Sequence, residues 1–407
     1  MTQSSKSTPR ALANYARRID AVVRLALVLL ILTLVGCSSA QPRVETSAAV
    51  LPAQDQVNVF DRFMNSGVPP ADGFDLPVGS ADHDSTSQRN SGWNLSSRFG
   101  QNYEHGINPG QDWSRSGHPA EHPQEIYAVA NGRVLLAENE GPSLGNVIII
   151  EHAFYENQGK RTILSFYSQL REMEVRPGEE VRKRQPIATS GGRLHFELRW
   201  DEKLSPTFRP SSEGKELGWI TEHYADPGDF IEANRTLFVP QQEPTLVLVD
   251  QTSYKTRIYR RGQLRGEYDV SLGQGKGQKR AQGDNKTPRG MYFVIQKHRG
   301  EFEGPYGGYY GGHWIKINYP NKYDALNGRF DGVISARQAS QISRSWERRE
   351  PTLEGTGLGG GIGFHGWIKE WDNGGSRHLS WGCVVMHLSD IRALYDEIPE
   401  GTMVIIF

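Results

Sequence analysis

Past residue 40 the apolar residues come in short runs that stop at glycine or proline. Examples are YAVANGRVLLAE (127–138), GNVIIIEH (145–152), RTILSFYSQL (161–170), VRPGEEVRKRQPIA (175–188) and GGRLHFELRW (191–200). Runs of this length with period-two alternation suit antiparallel strands and hairpins, whereas a helix needs a spacing of three to four kept up over about ten residues or more. With 45 Gly, 22 Pro and 10% aromatic residues among 407, the chain reads as turn-rich and mainly β, with few short helices. That length accommodates two or three domains. The balance of 46 Lys+Arg against 47 Asp+Glu argues against a nucleic-acid partner.

The first forty residues form a targeting segment. Arg10, Arg17, Arg18 and Arg24 precede the apolar run Leu25 to Val35, then Gly36-Cys37-Ser38-Ser39. That run falls short of the ~20 apolar residues a spanning helix requires and has the shape of a signal-peptide core. Leu34-Val35-Gly36-Cys37 resembles the bacterial lipobox. The resemblance implies a signal peptide over 1–36 and lipidation of Cys37, with acyl chains anchoring the chain at about 0.8 kcal/mol per buried CH₂. Ser38, in place of Asp, favours the outer membrane, so the expected location is periplasmic and lipid-anchored. Residues 37–88, rich in Ser, Pro, Ala and Asp, read as a flexible tether after the anchor.

The chemistry concentrates between Leu358 and Met386. Cys383 is one of only two cysteines, and it follows Ser380-Trp381-Gly382. Upstream, beyond Gly359-Gly360-Gly361, stands His365-Gly366. A thiol is a weak nucleophile until a base takes its proton, and an imidazole is suited to that task. Backbone N–H groups at Gly382 and Cys383 are candidates for stabilising an oxyanion. On spacing alone, a small buried cysteine and an ordinary histidine are the competing reading.

The arrangement resembles the signature of the L,D-transpeptidase (YkuD-type) family: His-Gly, an interval, then Ser/Thr-x-Gly-Cys. Three further stretches agree, namely 245–273 as an opening hairpin, DNKTPRGMYFVIQK (284–297) and WIKINYPNKYDA (314–325). A closing helix and strand fit 389–407. The resemblance implies a catalytic domain over 241–407, with Cys383 as nucleophile and His365 as base. Ser380 then shapes the turn or bonds His365, and Gly366, Trp381 and Tyr319 lie on the substrate side. It also implies acyl transfer from the L-centre of a stem-peptide diamino acid through a thioester. Trp381 and Val385 depart from the family's frequent His and Arg, which leaves transfer, carboxypeptidase and endopeptidase outcomes open. His378 is an alternative base. No cofactor is implied. The Gly- and Tyr-rich loop 299–312 has the character of a cleft lining, and SRSWERRE (343–350) that of a solvated helical face.

Residues 89–240 resemble the lysostaphin-like (LytM-type) zinc endopeptidases, an antiparallel β fold. Asn108 replaces a metal-binding His, and Gln169 and Arg193 replace two catalytic His. Asp112 and His195 remain of three expected ligands. Two ligands do not make a tetrahedral zinc site, so the domain is expected to be metal-free and catalytically dead. His105, His118 and His122 are the only nearby replacements. Such a relic implies a groove that binds wall peptide or an envelope protein partner. Two readings of the whole follow: a lipid-anchored peptidoglycan-modifying cysteine enzyme with a wall adaptor, or a non-catalytic wall-binding regulator.

Overall fold

The computed structural model describes residues 67–407 except 80–91, 104–105, 116–122, 158, 201–204, 206–207, 209, 211–213, 304–306, 370 and 372–376. The signal peptide, Cys37, His105, His118 and His122 lie outside the described residues. Two nine-stranded sheets dominate, and the fold is mainly β.

In the first sheet the order is Trp93–Ser97, Gln111–Arg115, Pro186–Arg199, Gly159–Met173, Asn146–Glu156, Gly132–Asn139 and Glu180–Val181. Gln124–Tyr127 and Tyr224–Ala225 pair onto Pro186–Arg199, and every pairing is antiparallel. Asn146–Glu156 reads NVIIIEHAFYE without alternation because both faces are covered. Ile148 and Ile150 enter one cluster, Val147 and Ile149 another. The stretch 175–188 holds Glu180–Val181 and the start of Pro186–Arg199.

The tether ends earlier than expected. Residues 67–78 lie on this first sheet, with Ala71, Phe74, Leu76 and Val78 in its core. The Phe74 ring meets Phe154, Phe230 and His152 edge-on, and Asp75 pairs with Arg184 and Arg235. These apolar residues lack helix or strand periodicity because the segment pairs through isolated backbone bonds, such as Ala71 N–H to Ala153 O at 2.7 Å.

The second sheet runs Lys255–Arg260, Thr245–Asp250, Met403–Ile406, Gly290–Arg299, His313–Ile317, Gly363–Gly366, Val384–Met386, Gln263–Gly273 and His378–Ser380. Lys255–Arg260 also pairs with Gln263–Gly273, so the sheet closes on itself. Val247, Val249, Tyr292, Val294, Val404 and Ile406 fill one core with the helix Leu388–Glu397. Their neighbours Leu246, Leu248, Met291, Phe293, Met403 and Ile405 point the other way. On that outer side they meet Trp346 and, from the first sheet, Tyr155.

The charged stretch 343–350 is therefore not a solvated face. It ends the helix Ala336–Glu347, whose Ala339, Ile342 and Trp346 are buried at helical spacing. Trp346 donates its indole N–H to Met291 O at 2.8 Å. Arg349 forms a forked pair with Glu243, 3.0 and 2.5 Å, and lies over Phe238 and Phe293. The connection around Pro240 is thereby held on both sides.

Phe74→Ala should destabilise the protein by about 3–5 kcal/mol, the usual loss for a buried Phe, in urea unfolding followed by tryptophan fluorescence. A change near zero would return 67–78 to the tether.

Candidate functional site

Parallel pairing of Gly363–Gly366 with Val384–Met386 sets His365 opposite Val385 and Phe364 opposite Val384. Counting back, Cys383 falls level with Gly363, on the face that carries His365. Both side chains line one cavity of ≈510 Å³ with Tyr310, Trp367, Trp381 and Gln274. The thiol points at Gly361 O, 3.7 Å away, and the Gly363 N–H bonds the sulfur.

His365 is buried, and its Nδ1 lies 2.7 Å from Gly366 O. A carbonyl only accepts, so Nδ1 carries the proton and Nε2 keeps the lone pair. The ring lies parallel to Trp314 at 5.8 Å and meets Tyr310 edge-on at 4.8 Å. Burial pulls the imidazole down to about 4, against the Gly366 bond that favours its charge. Burial pushes the Cys383 thiol up to about 11, opposed by the Gly363 N–H and the charge of Lys279. At neutral pH the resting pair is thus thiol and neutral imidazole.

The turn before Cys383 depends on Ser380 and Gly382. Ser380 Oγ donates to Cys383 O at 2.6 Å and accepts from Gly382 N–H at 3.1 Å. Gly382 has φ +133°, and a Cβ there would lie 2.8 Å from Lys286 O. Because Ser380 engages the Gly382 N–H, that group is not an oxyanion donor, which corrects the sequence expectation and leaves the Cys383 N–H. Ser380 holds the loop and makes no hydrogen bond to His365 among the described residues.

The structure separates other expected residues from the cavity. Tyr319 is 1% exposed, packs in the core and donates its hydroxyl to Leu358 O at 3.1 Å. The NYP stretch therefore turns its tyrosine inward, and a substrate-binding role is corrected to a structural one. Gly366 is likewise buried, since a Cβ would run into Leu388 and Ile391. Its carbonyl orients His365. His378 bonds Tyr254 through Nε2 at 3.0 Å and Gly273 O through Nδ1 at 2.8 Å, and lines a different cavity. Trp381, 58% exposed, does form a wall of the cavity. Tyr310 and the Gly361 carbonyl were not singled out from sequence; the only signal for Tyr310 was the aromatic character of its loop.

In the first sheet a second cavity of ≈530 Å³ is lined by Asp112, Ser168, Gln169, Arg193 and His195. Strand pairing puts His195 opposite Asp112. His195 Nδ1 lies 2.7 Å from Asp112 Oδ1, and Nε2 lies 2.8 Å from Glu197 Oε1. Glu197, fully buried, is also bonded by Arg199 Nε at 2.6 Å. Burial opposes charge on His195, but the bonds to Asp112 and Glu197 outweigh it and hold the imidazole up at about 9. Burial also opposes charge on Glu197, yet Arg199 and His195 keep it ionised, down at about 2. Asn108 Nδ2 donates to the other Asp112 oxygen at 2.9 Å. Of the three expected ligands only Asp112 and His195 line this cavity, and two do not make a tetrahedral zinc site.

Two family models match separate parts of the chain. Residues 244–406 match the L,D-transpeptidase catalytic domain model (YkuD), and residues 110–206 match peptidase family M23. Over 86 residues the chain is 43% identical to Lipoprotein NlpD of Yersinia enterocolitica, covering 20% of this chain and 81% of that sequence. It is 41% identical to Murein hydrolase activator NlpD of Escherichia coli over 86 residues, which is 21% of that protein. A solved L,D-transpeptidase variant from Enterococcus faecium is 18% identical, covering 42% of this chain and 53% of its own, with a TM-score of 0.27. The chain thus belongs over residues 244–406 to the L,D-transpeptidase (YkuD) catalytic-domain family, and over residues 110–206 to peptidase family M23.

Proposed function

We propose that the domain over 241–407 is a cysteine L,D-transpeptidase acting on peptidoglycan stem peptides. The observation that carries this reading is the shared cavity, lined by Cys383 and by a His365 whose Nε2 keeps its lone pair. Cys383 Sγ attacks the carbonyl at the L-centre of diaminopimelate while His365 Nε2 takes the thiol proton. The Cys383 N–H faces the developing oxyanion. His365 then gives the proton to the departing D-Ala amine, leaving a thioester. An amine from a second stem attacks it, loses its proton to Nε2 and restores the thiol. Water in place of that amine makes the enzyme an L,D-carboxypeptidase or endopeptidase. Because thiol and imidazole both rest neutral, proton transfer accompanies attack rather than preceding it.

The domain over 89–240 serves as a wall or partner adaptor without hydrolytic activity, its former metal position filled by a protonated histidine between two carboxylates. The likeness to NlpD proteins also favours a second reading, in which this domain regulates a murein hydrolase. The same likeness supports an envelope lipoprotein; lipidation at Cys37, an outer-membrane tether and a periplasmic position rest on the lipobox-like Leu34–Cys37 and Ser38.

Incubation with disaccharide-tetrapeptide, read by mass spectrometry, should yield a 3–3 cross-linked dimer that Cys383→Ala abolishes. Tripeptide plus free D-Ala would mean carboxypeptidase, and no Cys383-dependent product would leave the regulatory reading. Iodoacetamide should alkylate Cys383 faster as pH rises towards 11, with no thiolate plateau near pH 6. A plateau there would mean a resting ion pair. For His195, the folded pKa of about 9 stands above the unfolded value near 6.5. Its stabilisation is complete below about 6.5 and lost as pH rises through about 9. The melting midpoint should therefore fall between pH 7 and 9.5, and His195→Gln should flatten that slope.

A further inference from the structure

The long hairpin of the first sheet ends at Asn157, and that tip is lodged in the second sheet. Asn157 holds φ +48°, an uncommon conformation for a residue other than glycine. Its Oδ1 accepts from Asn321 Nδ2 at 2.8 Å. Asn321, fully buried, caps the helix Lys322–Phe330 by accepting from Tyr323 N–H and Asp324 N–H. Gly290 makes the room, because a Cβ there would strike Asn157 Oδ1. Beside the tip, Gln241 donates to the Tyr155 hydroxyl, and Tyr155 joins the apolar cluster of Met291, Phe293 and Trp346.

Two short paths run from this socket towards the thiol. Tyr319, two residues before Asn321, holds Leu358 O, and three residues on the Gly361 carbonyl takes the Cys383 thiol. Asp324, bonded by the Asn321 N–H at 3.0 Å, also accepts from Gln278, next to the buried Lys279 that stands over the Tyr319 ring. None of the described residues lining the groove of the first sheet contacts this junction. A domain kept only as an adaptor on a tether would need no side chain inserted beside the helix cap of its neighbour.

We propose that the M23-like domain acts on the transpeptidase domain in cis, with Asn157 as a positioning residue that holds the Gly360–Gly361 wall of the Cys383 cavity through Asn321. This rests on the assignment of Cys383 as the reactive thiol. The inserted tip limits the motion of the glycine segment, so the Gly361 carbonyl keeps its hold on the thiol. Loss of the tip contact loosens that segment without removing any residue of the cavity.

The test uses the full-length protein in detergent. N157G removes the amide but keeps the turn, since glycine adopts φ +48° without strain. N157D retains an acceptor at the same place. Iodoacetamide alkylation of the Cys383 peptide, timed by mass spectrometry at pH 8, should slow about fivefold in N157G, the low end for coupled sites. N157D should stay near the unsubstituted rate, and hydrogen exchange across 358–361 should quicken in N157G alone. Unchanged alkylation in N157G, or equal slowing in N157D and N157G, would overturn the proposal. Alkylation needs no turnover, so a chain that makes no product from tetrapeptide sinks the catalytic reading and leaves this test standing.

Discussion

Hydrogen bonding between two short parallel strands, Gly363–Gly366 and Val384–Met386, governs the geometry of the second domain. Their register places His365 across from Val385, so the cysteine one residue before the second strand reaches the same cavity. A slip of one residue would turn His365 to the opposite face, because strand side chains alternate. The register is fixed by buried Phe364, Val384 and Met386, which share the core with Val247, Val294 and Val404. Ser380 and Gly382 then set the bend that brings the thiol to the Gly361 carbonyl.

The cavity of the first domain is organised around a buried carboxylate, Glu197. Burying Glu197 without a partner would be expensive, and Arg199 and His195 supply two cationic donors for it. His195 is in turn held by Asp112 on its other nitrogen. The imidazolium thus stands where opposing carboxylates need a positive centre. Asn108 completes the set by donating to Asp112 and Ser97.

The two sheets meet over a shared apolar cluster rather than across a slack connection. Leu246, Leu248, Met291, Phe293, Met403 and Ile405 face outward from the second sheet and are covered by Trp346 and Tyr155. That double-sided burial explains why TLVLVD and MVII are continuously apolar. Lys322, largely buried between Glu156 of the first sheet and Glu347 of the neighbouring helix, adds a charged contact to the same junction.

The sequence by itself determined the strands, which follow from period and punctuation. Asn146–Glu156, Gly159–Met173 and Pro186–Arg199 fall where short apolar runs stop at glycine or a turn. It also marked Cys383, His365, Asp112 and His195, because each stands in a motif of fixed local spacing. Tertiary structure decided what those residues face. Tyr319 lies in the NYP stretch and Gly366 follows His365, but the tyrosine turns into the core and the glycine packs its backbone against the helix Leu388–Glu397. Tyr310 reaches His365 from a loop more than fifty residues upstream, a contact that no local spacing encodes. The same holds for Phe74, Trp346 and Asn157, whose partners lie on other elements. Local pattern reports the backbone period of a segment, whereas the partner that covers each face is set only when distant segments pack.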